Sequence, residues 1–181
     1  DAILLLKKAV AIKPRFTIGW SDLADAFSDQ DEFGKALDAV QRVINLQPDL
    51  PFGFMKRGSI LEQSGDHESA INAYREALKI EPDHLGSSMG LGNSLKTTGE
   101  YEESILAYKK AIEIQPFFAE AYWSLANLKT YQFTQKEISQ MEDNIKNVAI
   151  NKSTKTFFHI ALANSKEKEK LFDEAWFHFN E

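Results

Sequence analysis

The sequence contains no cysteine, which excludes disulfides and any thiolate metal site. It contains no apolar run near the roughly 18 residues that a membrane-spanning helix needs. The longest run near the start, Ala2 to Leu6, ends at Lys7 and Lys8. It is too short for a signal peptide and flanked on the wrong side. Bases are the minority, 21 against 27 acids, for a formal net charge of -6. The clustered basic face that nucleic acid requires is therefore not expected. These absences set the expectations of a cytoplasmic location, no nucleic acid and no membrane partner. The chain starts without Met, inside an amphipathic pattern, and reads as a fragment of a longer protein.

Proline is also scarce, with five in 181 residues, yet four of them are evenly placed. Pro14, Pro48, Pro82 and Pro116 follow one another at 34 residues, in the contexts AIKPRF, NLQPDL, KIEPDH and EIQPFF. Proline has no amide donor and disfavours helix in the residue before it, so each marks a helix stop. We count position 1 three residues after each proline. Position 4 then holds Trp20, Phe54, Ser88 and Tyr122, and position 8 holds Ala24, Gly58, Gly92 and Ala126. Position 20 holds Ala36, Ala70 and Ser104, and position 24 holds Val40, Tyr74 and Tyr108. Large residues at helical spacing build one apolar face per helix. The small ones let two helices of a hairpin approach closely. Gly65 and Gly99 fall at the turn between the two helices, where glycine tolerates a positive φ. One hairpin cannot bury its apolar face alone, so the unit must stack on copies of itself.

Period, small positions, large positions and proline together resemble the tetratricopeptide repeat, with departures at Arg57, Ser88 and Ser104. The resemblance implies an all-α fold, a right-handed alpha-alpha superhelix of antiparallel hairpins. It covers residues 1–131 as a half repeat, three full repeats and the first helix of a fourth. Residues 132–181 read as a divergent helical segment. There Thr134 and Glu137 form a capping box ahead of Ile138, Met141 and Ile145. An amphipathic stretch around Phe157 to Leu162 follows, then a polar stretch from Asn164 to Lys170, then a last helix with Ala175 and Phe179 at positions 20 and 24. Two segments, Tyr122 to Met141 and Phe157 to Asn180, resemble the junction region of bacterial proteins that carry these repeats ahead of a sulfotransferase domain. That resemblance implies a parent enzyme using 3′-phosphoadenosine 5′-phosphosulfate. It gives the present chain no activity.

A search for chemistry finds none assembled. Lys96-Thr97-Thr98-Gly99 superficially resembles a phosphate loop but sits at a helix–helix turn, not between strand and helix. The four histidines show no ligand spacing along one helix. Acid pairs such as Glu102-Glu103 and Asp173-Glu174 lie where they favour a helix dipole. No enzyme activity, no cofactor and no metal are expected of this chain.

The resemblance also implies that the first helix of each hairpin lines a concave groove, through positions 2, 5, 9, 12 and 13. Asn93 and Asn127 then stand one period apart, with amides able to pair with an extended backbone. Met55, Met89 and Trp123 make an apolar stripe, and Lys96 and Tyr131 are further groove-facing positions. Asp25 and Glu62 make one end negative. The family's carboxylate-clamp members carry paired lysines, whereas Lys96 stands alone, so a chaperone C-terminal peptide is not the expected guest. The expected partner is a protein or peptide segment held in the groove. The alternative is a structural packing module, or self-association through an exposed terminal repeat at Leu5 and Val10.

Overall fold

The computed structural model describes residues 2–179 and is all-helical, with eleven helices among them. No helix among the described residues is long and apolar enough to cross a membrane. The chain divides into two compact units, residues 1–99 and 100–181.

The first unit holds α1 (Ala2–Ile12), α2 (Thr17–Ser28), α3 (Phe33–Leu46), α4 (Pro51–Gln63), α5 (His67–Ile80) and α6 (Leu85–Thr98). Each packs on the next, and α4 also meets α6. The connections fall where the sequence punctuates them. Pro14, Pro48 and Pro82 follow the ends of α1, α3 and α5. Gly65 takes φ 85° and Gly99 φ 90°, and Asp31, in the same register, takes φ 56° without glycine's freedom. The periodic positions become the core. Leu23, Ala24 and Phe27 of α2 pack with Ala36 and Val40 of α3 and Ile60 of α4. Leu61 of α4 packs with Ala70, Ala73 and Tyr74 of α5. Burying one such large side chain contributes about 1.5–3 kcal/mol. Val10, expected at the surface, is also core at 4% exposure, because its face of α1 closes on α2; Leu5 is exposed as expected.

The second unit holds α7 (Tyr101–Ile114), α8 (Ala119–Ala126), α9 (Gln135–Lys146), α10 (Lys152–Lys168) and α11 (Phe172–Phe179). Here α10 is central, packing on α8, α9 and α11. Its Phe158 meets Tyr122 edge to face at 5.4 Å between ring centroids, and both are fully buried. The capping box of α9 forms as the sequence predicts, with Thr134 and Glu137 bonding reciprocally. The polar stretch 164–170 forms the end of α10, which runs to Lys168 before the chain turns at Lys170, φ 62°. One reading of the sequence needs correction. The helix expected to reach Tyr131 ends at Ala126.

Candidate functional site

In the first unit α2, α4 and α6 lie side by side, and contacts between them define one face. Lys56 of α4 donates to both carboxylate oxygens of Asp25 on α2, each at 2.6 Å. Its ammonium also lies 5.5 Å from the Phe52 ring centroid. Near the far ends of the same helices, Ser28 Oγ donates to Gln63 Oε1 at 2.8 Å. Between α4 and α6, Met55 Cγ would stand 3.8 Å from a Cβ built at Gly86. Met89, Asn93 and Lys96 follow along α6 as half-buried residues, neither core nor fully solvated. The face thus presents apolar stems flanked by an amide and an ammonium.

The negative end expected from Asp25 and Glu62 is muted. Asp25 is neutralised by Lys56. Glu62 accepts a hydrogen bond from the Tyr74 hydroxyl at 2.8 Å. Burial, with the Glu62 carboxylate beside it, pushes the Tyr74 pKa up, so this hydroxyl stays a donor throughout the neutral range. Sequence reasoning missed Lys56, which sits at position 6 and outside the groove positions the repeat implies.

The remaining candidates belong to the second unit. Trp123 is 37% exposed and meets Phe157 edge to face at 6.0 Å. Asn127 is the C-cap of α8, and its Oδ1 accepts from Asn164 Nδ2 at 3.4 Å. Tyr131 is a correction. Expected to face a guest, it is buried, its ring packs edge-on against Phe133 at 5.1 Å, and its hydroxyl donates to Glu137 Oε1 at 2.6 Å. The cause is the early end of α8, which takes Tyr131 off the helical register that position 13 assumes. That end is held by a residue no local pattern reveals. Lys168 Nζ donates to the carbonyls of Ala126 and Leu128 at 2.8 Å and of Tyr131 at 3.2 Å.

Another tertiary pairing escaped the sequence. His159 of α10 and His178 of α11, 19 residues apart in sequence, bring their Nδ1 atoms to 3.2 Å. Burial and the neighbouring His159 push the His178 pKa down. Among the described residues no group of three or more histidine or carboxylate side chains could hold a metal ion.

Comparison with known proteins accords with this architecture. The tetratricopeptide repeat model matches residues 51–84, and a second TPR repeat model matches residues 92–129. A crystal structure of MamA is similar at 20% identity over 95% of this chain and 89% of that one, with a TM-score of 0.62. The MamA RS-1 ArsTM double mutant is similar at 17% identity over 91% and 90%, with a TM-score of 0.67. The first TPR of Spaghetti (RPAP3), bound to the HSP90 peptide SRMEEVD, is similar at 16% identity over 58% of this chain and 83% of that one, with a TM-score of 0.55. No curated protein matches the chain. At such identities the solved structures speak for the fold alone: tetratricopeptide repeats occupy these two stretches of the chain, within an all-helical architecture of the solenoid kind.

Proposed function

We propose that the chain is a non-catalytic scaffold that binds a polypeptide segment across the face made by α2, α4 and α6. The carrying observation is the row of half-buried residues Met55, Met89, Asn93 and Lys96 beside the Asp25–Lys56 pair. Methionine stems adapt to varied side chains, and an asparagine amide supplies both donor and acceptor to an extended backbone. A neighbour of the same fold holding a peptide supports this reading. The guest differs from one gripped by its terminal carboxylate, because Lys56, the other cation of this face, is paired with Asp25 and leaves Lys96 where a clamp needs two. In the second unit Trp123 and Asn127 offer an aromatic ring and an amide of the same kind. We place this scaffold in a sulfotransferase-type parent protein, a reading supported by the two segments at 122–141 and 157–180.

Peptides selected from a random library on the intact chain test the assignment. Asn93→Ala should weaken them about tenfold, the worth of one backbone hydrogen-bond pair, with helicity retained. Selected peptides that bind the variant as tightly as the original would place the binding surface elsewhere.

A further inference from the structure

A second surface, on α1, α2 and α3, has no part in the face above. A cleft of about 640 Å³ opens there. Its floor is the buried apolar set Val10, Leu23, Phe27 and Ala39. Its wall is Trp20, whose indole N–H is held by the Pro14 carbonyl at 2.9 Å. Its rim is cationic: Lys7, Lys35 and Arg42 against the single carboxylate of Asp38. Lys7 and Lys35 both lean over the Phe27 ring, at 5.2 and 5.6 Å from its centroid, and Lys35 also pairs with Glu32. In a chain of net charge -6 this basic, apolar-floored cleft stands apart. The volume lies in the range of sites that enclose a ligand of roughly 300–1,000 Å³.

The opposite chemistry lies on α11. Phe172, Trp176 and Phe179 recur at i, i+4 and i+7 and are 64%, 69% and 51% exposed. Asp173 flanks this stripe, while Glu174 lies on the opposite side of the helix and pairs with Lys166 of α10 at 2.8 Å. Only Ala175 of this helix is buried.

We propose that the cleft receives α11 of a second copy of this chain, with Trp176 as the anchor in the apolar floor and Asp173 meeting the cationic rim. A large aromatic in a pocket, ringed by complementary charge, is the pattern of an interface hot spot. The two patches differ, so each copy can donate α11 and accept another at once. Such heterologous association continues into rings or filaments and does not stop at a dimer. It uses neither Asn93 nor Met89, and failure of one proposal leaves the other standing.

Sedimentation velocity over a wide concentration range should show mass rising well past the dimer. Trp176→Ala and Arg42→Glu change exposed side chains, and each should weaken association about 30-fold or more with helicity retained. The two variants mixed in equal amounts should form a dimer and nothing larger, because one keeps an intact cleft and the other an intact helix. A chain that stays monomeric, a variant that associates like the original, or a mixture that stays monomeric would each overturn the proposal.

Discussion

Tyr74 fills space that two glycines leave open. A Cβ at Gly58 would meet its ring at 2.7 Å, and one at Gly90 would meet it closer still. The ring is wedged between α4 and α6 and tied by its hydroxyl to Glu62. Gly90→Ala should therefore cost about 1–3 kcal/mol, the usual penalty of overpacking a dense core, read as a lower urea midpoint. Tyr74→Leu in the same chain should return part of that loss. If Gly90→Ala alone leaves the midpoint unchanged, the wedge is not tight. Gly58 was legible in the sequence, because position 8 is small in every repeat. Gly90 was not, because its need comes from the size of one tyrosine on a neighbouring helix. Asp31 makes the same point from the other side. Its register with Gly65 and Gly99 was visible, but a left-handed aspartate carries no mark that separates it from a helical one.

At the scale of elements, local signals served best. The proline stops, the glycine turns and the Thr134–Glu137 box appear where the spacing places them. Burial raises the Glu137 pKa, but hydrogen bonds from Tyr131 and from the Thr134 amide and hydroxyl, with Lys109 nearby, outweigh it. The net shift is downward from 4.5. A carboxylate whose folded pKa is depressed stabilises the fold above its unfolded pKa and loses that contribution as pH falls through the folded one. Unit 100–181 should weaken below about pH 4.5, and thermal melts against pH should show the slope shrinking in Glu137→Gln. At neutral pH that variant should cost about 1–2 kcal/mol, the worth of charge-assisted hydrogen bonds at a partly exposed site. An unchanged acid slope would remove Glu137 from the account. The end of α8 was illegible by comparison. Its terminal carbonyls find Lys168 across some 40 residues of sequence, and only the folded unit brings the two together.

At the scale of the whole molecule, periodicity read the first unit almost completely, because each hairpin there buries the same positions against its neighbours. In the second unit the shared pattern fades after Tyr131, where α10 replaces a regular hairpin partner, and the candidate positions there were legible only in part. Tyr131 shows why. A position number predicts orientation only while the helix that carries it continues. The sequence predicts no active centre, and an assay of sulfate transfer from 3′-phosphoadenosine 5′-phosphosulfate with this chain alone should stay at background. Transfer above background would mean that the chain carries an active centre of its own.

Lys168 reaches from the end of α10 to the segment that closes α8. An ammonium that serves three main-chain oxygens on a distant segment ties the fate of that segment to its own helix. Deuterium should enter the amides around 127–131 and those at the end of α10 in a single opening event, because neither stretch can fray while the other stays closed.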